Sequence, residues 1–256
     1  MNVLVCVKRV PATGGKITLT ADEQEIDTHF LGFTISPHEE CAVEEALRLV
    51  EALPGGGSAA VLTLGPAAAE EQLRDALAMG IEHAILLETD GREWDPTATA
   101  NAMVEVIRAQ RAAGRDFDLL LFGNEAADTG GYQVGIRVAH ALDLPCVTGV
   151  KELEIRNGMA MAKREAAGGR EIFEVTLPAV ITIKEGINLP RYPSMPGRLK
   201  AKKKVIEQTK PQWNNGGLEK VRLKLPKEQE HQVEILGKGP EAAPKVVELL
   251  QRLGLV

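Results

Sequence analysis

The residue types best suited to holding an anion lie together in Gly123-Asn-Glu-Ala-Ala-Asp-Thr-Gly-Gly-Tyr-Gln-Val-Gly135. Its four glycines let backbone amides approach a ligand closely, and a helical pattern follows, so first-turn N–H groups could cradle a phosphate. The same residues have a purely structural account, in which Asp128 or Thr129 caps the helix and the glycines shape a turn. Both accounts stay open on the residues alone. A carboxylate beside a phosphate would repel it, so Asp128 is expected to accept backbone N–H bonds that fix the loop. A Walker A sequence is absent, and no Gly-x-Gly-x-x-Gly opens a helix after the first strand. In an open parallel sheet the alternative crevice lies beyond the carboxyl ends of the strands, where strand order reverses. The loops Val7–Pro11, Leu64–Pro66 and Gly123–Gly135 are its expected walls.

Other chemistry-bearing residues read more simply. Ser36, Pro37, His38 and Glu39 form a helix start, with Ser36 as N-cap, Pro37 as first helical residue and Glu39 as the returning carboxylate of a capping box. In that first turn His38 is expected to face solvent. His83, His140 and His231 are isolated and lack metal-ligand spacing. Glu44 and Glu45, with Arg48 four residues after Glu44, read as an ion-paired helix face. Cys6, Cys41 and Cys146 are odd in number and far apart, which suits small buried hydrophobes in a reducing compartment. No catalytic residue and no metal ligand is assigned.

From Asn188 to Lys204 the chain sets three prolines among apolar and basic residues, with no acid. Pro190, Pro193 and Pro196 exclude a helix and a central strand, so Tyr192, Met195 and Leu199 are expected on an extended, solvent-facing loop. Lys200 and Lys203 belong to a cationic run that favours an acidic partner. A solvated linker with a basic tail is the plainer account.

The elements that must position these residues follow from periodicity. Strands are expected at Val3–Val10, Ala60–Leu64, Ala84–Leu87 and Leu119–Phe122, with helices at 37–53, 67–79, 96–113 and 130–142 between them. That alternation signals a parallel sheet with crossover helices. After Thr148, Leu153–Arg156, Ala160–Arg164, Ile172–Thr176 and Val180–Ile183 read as an antiparallel extension, with Asn157-Gly158 as a hairpin turn. The expected organisation is an α/β body with this extension over 1–185, an exposed loop over 186–204 and a tail over 205–256 that ends in a helix at Ala242–Leu253. A net charge of −6 argues against general nucleic-acid binding. No apolar run reaches the roughly 18 residues of a membrane span, and no leader-like segment precedes Val3, so the chain is expected in the cytoplasm.

Four segments together, Val7-Lys-Arg-Val-Pro11, Ala42-Val-Glu-Glu-Ala-Leu-Arg-Leu49, Leu177-Pro-Ala-Val-Ile-Thr182 and Asn188–Lys204, closely resemble the β (small) subunit of electron transfer flavoproteins. The resemblance covers the chain up to about residue 210. It implies a flavodoxin-like, adenine-nucleotide-binding parallel sheet with helices on both faces, and an electron carrier without catalytic residues of its own. FAD would be held chiefly by an α subunit, with this chain covering one side of the flavin from Val10–Thr13 and Ser36–His38. AMP would be held by Cys6, by Ser36, Pro37, His38 and Glu39, and by Leu64. The Gly-rich loop would add Gly123, Asn124, Glu125, Ala126, Asp128, Thr129, Gly130, Gly131, Tyr132, Gln133 and Val134. Tyr192, Met195, Leu199, Lys200 and Lys203 would dock partner dehydrogenases, and the tail would wrap the α subunit.

Departures from the family pattern bear on the ligand. Ser36-Pro37-His38 stands where many members have Asn-Pro-Phe, and Ala12-Thr13 where an Asp and a Tyr or Thr often follow the first strand. Gln133-Val134-Gly135 is shared with members that put a second FAD in place of AMP. A bifurcating flavoprotein with a second FAD is therefore one alternative. A stand-alone adenine-nucleotide sensor or hydrolase is another, although a pyrophosphatase-type loop would want Ser-Gly-Gly-x-Asp where Arg9-Val10-Pro11-Ala12 stands.

Overall fold

The computed structural model describes residues 1–12, 14, 16–53, 55–214, 216–226 and 234–256. Thr13 and His231 lie outside the described residues. β1 (Asn2–Val7) is the hub of the fold. Its side chains alternate between two apolar layers: Val3, Val5 and Val7 join one cluster, Leu4 and Cys6 the other. A strand buried on both faces needs a near-continuous apolar run, which Val3-Leu-Val-Cys-Val7 supplies.

A two-residue β2 (Val10–Pro11) and β3 (Phe33–Thr34) form a separate ribbon before α1 (Pro37–Ala52). Then come β4 (Ser58–Gly65), a 3₁₀ turn at Ala67–Ala69, α2 (Glu70–Met79), β5 (His83–Glu88), α3 (Pro96–Ala112) and β6 (Leu119–Gly123). α4 (Val134–Leu142) leads to β7 (Cys146–Arg156), β8 (Met159–Ala166), β9 (Gly169–Thr176) and β10 (Ala179–Ile183). α5 (Met195–Ala201), β11 (Glu207–Thr209) and α6 (Ala243–Arg252) complete the order.

Among the described residues the main sheet runs β11-β5-β4-β1-β6-β10-β7-β8-β9. β1 pairs in parallel with β4 on one edge and β6 on the other, so strand order reverses there. α1, α2 and α5 pack on one face of the sheet, α3 and α4 on the other. The Asn157-Gly158 turn joins β7 to β8 with both residues at positive φ, 51° and 75°, as a tight hairpin requires.

Three expectations are corrected. Val180–Ile183 is not part of the antiparallel extension: β10 lies between β6 and β7, parallel to both, and only β8 and β9 continue antiparallel. Its uninterrupted Ala-Val-Ile-Thr-Ile run, buried throughout, fits a central strand. The helix expected from residue 130 begins at Val134, because Gly130 takes a positive φ of 61° and closes a turn with its N–H on the Ala126 carbonyl, 2.8 Å. The prolines of 188–204 do not exclude a helix, since α5 starts at Met195 with Ser194 as N-cap. Pro196 falls in its first turn, where a missing N–H costs no internal bond.

The chain entering α5 is fastened to α1. The Arg191 guanidinium holds Glu44 with two bonds, Nε–Oε2 at 2.8 Å and Nη2–Oε1 at 3.0 Å, and reaches Glu51 at 2.7 Å, while the Arg191 backbone N–H adds a third bond to Glu44 at 3.1 Å. Asn188 donates to the Cys41 carbonyl at 3.0 Å and to Glu45 at 2.8 Å. Glu44 and Glu45 are therefore buried anchors for the 188–191 segment rather than a helix face ion-paired with Arg48, which reaches Glu45 only at 3.5 Å. Removing Arg191 strands Glu44 without its counterion. Arg191→Ala is expected to cost about 2–3 kcal/mol, less than for a fully buried pair because the guanidinium is about a third exposed. Glu51→Ala, at the exposed end of the same arginine, should cost under about 1 kcal/mol. Urea unfolding of both variants checks the ranking, and equal losses would contradict it.

Candidate functional site

The reversal of strand order at β1 makes the carboxyl ends of β1, β4 and β6 the place where a doubly wound sheet forms its crevice. Cys6 lies beside Leu62 and Phe122 in register and is buried, which pushes its thiol pKa up and leaves it an apolar floor. Leu64 stands one residue before the end of β4. Ser36 caps α1, and the full capping box forms, with Glu39 N donating to Ser36 Oγ at 3.2 Å and Ser36 N to Glu39 Oε2 at 3.0 Å. The other oxygen of Glu39 accepts the backbone N–H of Lys8 at 2.9 Å. Burial raises the Glu39 pKa from its ordinary 4.5 to about 8, against the opposing pull of those N–H groups and the Lys8 ammonium.

Of the four loop glycines, two serve packing. A Cβ on Gly123 would stand 2.6 Å from Glu39 Cγ, and one on Gly135 would stand 3.1 Å from the Phe122 ring. Gly130 and Gly131 face more open space, with nothing within 4 Å of a Cβ at Gly130 and only Thr129 Oγ1, at 3.4 Å, beside Gly131. The loop closes on itself through Ala126 N to the Gly131 carbonyl at 3.1 Å. Asn124 donates its N–H to Ile183 O at 2.9 Å, and its side-chain oxygen accepts from Thr182 at 2.9 Å, tying the loop to β10. Gln133 is the N-cap of α4 without a side-chain cap bond, its amide oxygen taken by Arg137 at 2.9 Å. Val134 is the first residue of that helix, and Tyr132 is half exposed.

One side chain extends its expected role and another departs from it. Asp128 accepts the N–H of Thr129 at 2.9 Å, but its main partner is the Lys8 ammonium at 2.7 Å. His38 does not face solvent: its side chain is 14% exposed. Its Nδ1 accepts the Glu185 N–H at 2.7 Å, which puts the proton of the neutral ring on Nε2, 3.5 Å from Glu125 Oε1. Beyond the Gly-rich loop, on the β10 side, a cleft of about 390 Å³ is lined by Asn124, Tyr132, Ile136, Thr148, Arg164 and Lys184.

The second surface is the tip around α5. Tyr192, Met195 and Leu199 are 95%, 71% and 58% exposed. Beneath them the helix is held to α2: a Cβ on Gly197 would stand 2.4 Å from the Ala78 carbonyl, and Arg74 donates to the Ala201 carbonyl at 2.6 Å. Lys200 and Lys203 point outward, whereas Lys204 donates to the Ile81 carbonyl at 2.6 Å and belongs to the scaffold.

A family model described as the electron transfer flavoprotein domain matches residues 25–212. The chain is 40% identical over 210 residues to electron transfer flavoprotein subunit beta of Bacillus subtilis, covering 81% of this chain and 78% of that protein. The corresponding subunit of Syntrophomonas wolfei is 40% identical over 206 residues, covering 80% and 78%. That of Bradyrhizobium diazoefficiens is 34% identical over 211 residues, covering 81% of each.

Glu39 gives the crevice a pH signature. Between its ordinary 4.5 and about 8 the folded chain retains a proton there that the unfolded chain releases. Stability contributed by that proton is complete below the lower value and is lost as pH rises through the upper one. Denaturant midpoints measured from pH 5 to 8.5 should fall, and Glu39→Gln should flatten that slope. A slope unchanged by the substitution would rule out Glu39 as its source.

Proposed function

The chain belongs to the β subunits of the electron transfer flavoprotein family, and on that premise we propose that it shuttles electrons between dehydrogenases and an acceptor as half of a heterodimer. Its partner is an α subunit that holds most of the FAD. When bound, FAD supplies the one- and two-electron chemistry. This chain orients and covers: the α1 entry around Ser36–His38 lies at the crevice mouth, and His38 is fixed there by the Glu185 N–H. No proton transfer by a residue of this chain enters the proposal, which makes it a carrier rather than an enzyme. The reading places it in the cytoplasm, where Cys6, Cys41 and Cys146 stay free thiols.

We assign the switch-point crevice to AMP in a structural role. The uncapped start of α4, the open space at Gly130 and the Lys8 ammonium suit an adenylate phosphate. One observation favours a larger ligand: the cleft of about 390 Å³ shares Asn124 and Tyr132 with the same loop, so a second FAD could extend into it. Nucleotide analysis of the purified complex separates the readings. One FAD and one AMP per heterodimer is the expected result, two FAD supports the bifurcating reading, and a lone chain without flavin supports a nucleotide sensor or hydrolase.

The observation that carries the dehydrogenase reading is the exposed Tyr192, Met195 and Leu199 above a base bolted to α1 and α2. An apolar tip that the scaffold already orders loses little entropy on docking, and a thioether adapts to several partners. Burying Met195 is worth roughly 1.5–3 kcal/mol, so Met195→Ala should weaken dehydrogenase affinity by about one to two orders of magnitude. FAD content and heterodimer stability should not change. Neutralising Lys200 and Lys203 should instead reduce the association rate, and only at low ionic strength. Steady-state transfer at two salt concentrations measures both effects, and unchanged affinity in the Met195 variant would refute the anchor.

A further inference from the structure

Lys8 is the first residue past β1, at the point where strand order reverses, yet neither capping nor packing accounts for its side chain. Its ammonium lies 2.7 Å from Asp128 Oδ2 and 3.0 Å from Oδ1, so it joins the strand end to the Gly-rich loop. Glu93 is a weaker second partner at 3.8 Å and is also engaged by Lys220 at 3.3 Å. The backbone of Lys8 is fixed by its N–H on Glu39, while its side chain remains about a third exposed. The crevice thus presents a cation on a fixed stem, balanced chiefly by the Asp128 carboxylate and more weakly by Glu93.

Resting on the adenine-nucleotide reading above, we infer that Lys8 is the specificity-determining contact for the 5′-phosphate of the bound adenylate, and that Asp128 is its counterion when no phosphate is present. Entry of the ligand exchanges one anion for another at the ammonium. A phosphate carries more charge and more acceptor oxygens than a carboxylate, so the exchange favours the ligand. Asp128 retains the Thr129 N–H and keeps the loop turned. The gain in charge belongs to a phosphate monoester such as AMP, whereas each phosphate of the FAD pyrophosphate carries a single charge and gains only acceptor oxygens.

The test compares AMP with adenosine on the co-purified heterodimer stripped of nucleotide, by calorimetric titration, alongside the AMP content of the complex as purified. Lys8→Met should weaken AMP by about 10- to 100-fold, the scale of a lost hydrogen bond to a charged group, and change adenosine by less than about threefold. Lys8→Arg should restore most of the AMP affinity. Asp128→Asn removes the competing charge at constant size and should bind AMP at least as tightly as the parent. Equal losses for AMP and adenosine in Lys8→Met would make Lys8 merely structural, and weakened AMP binding in Asp128→Asn would overturn the exchange. If the unsubstituted complex bound neither compound, the adenine-nucleotide reading would itself fail, and this inference with it. AMP binding that ignored Lys8→Met would defeat the inference alone.

Discussion

The exit of β1 and the entry of α1 meet on one buried carboxyl group. Glu39 accepts the Ser36 N–H with one oxygen and the Lys8 N–H with the other, so two chain segments 31 residues apart end at a fixed separation. A buried acceptor left without donors would be costly, which makes both contacts obligatory. Gly123 is the consequence on the neighbouring strand, because β6 must end against Glu39 with no room for a Cβ. The ends of β1 and β6 and the start of α1 are thereby fixed against one another, and the Lys8 side chain leaves that clamp to meet Asp128.

The apolar tip around α5 depends on a second set of polar contacts. Arg191 and Asn188 tie the approaching chain to α1, and Arg74 and Lys204 tie the helix and its exit to α2 and the Ile81 carbonyl. Arg198 also faces Asp75 at 3.5 Å. These contacts divide the cationic run: Arg198 and Lys204 serve the fold, and Lys200 and Lys203 present charge to solvent. On a chain of net charge −6 they make a local reversal of sign beside the exposed apolar residues.

What the sequence disclosed and what it hid divide along range. The parallel strands, the α1 capping box and the Asn157-Gly158 hairpin rest on local patterns, and each formed. Glu44 and Glu45 were misread because their partners lie more than 140 residues away, where no helical spacing rule reaches. β10 was misread because a run after a hairpin suggests another hairpin, while its insertion between β6 and β7 is a topological fact. His38 was misplaced for a similar reason, its acceptor role being satisfied by Glu185 from across the chain. In α5 the error was one of direction: proline breaks a helix from within but opens one from its first turn. Lys8 lay inside a loop already marked as a crevice wall, and only the position of Asp128 distinguished it from an ordinary surface lysine.

The tail divides in the same way. Its first part belongs to the body: β11 extends the sheet beside β5, Trp213 lies over Arg92, Gly216 donates to Asp95 at 2.9 Å, and Lys220 holds Glu25 at 2.7 Å. α6 is different. Val246, Val247 and Leu253 are exposed, and no residue of the helix is buried. An amphipathic helix draws most of its stability from packing its apolar face, so α6 is the element whose sequence asks for a surface that the described residues of this chain do not supply. The body keeps its own fold without it, because both apolar layers of the core close without a residue of α6.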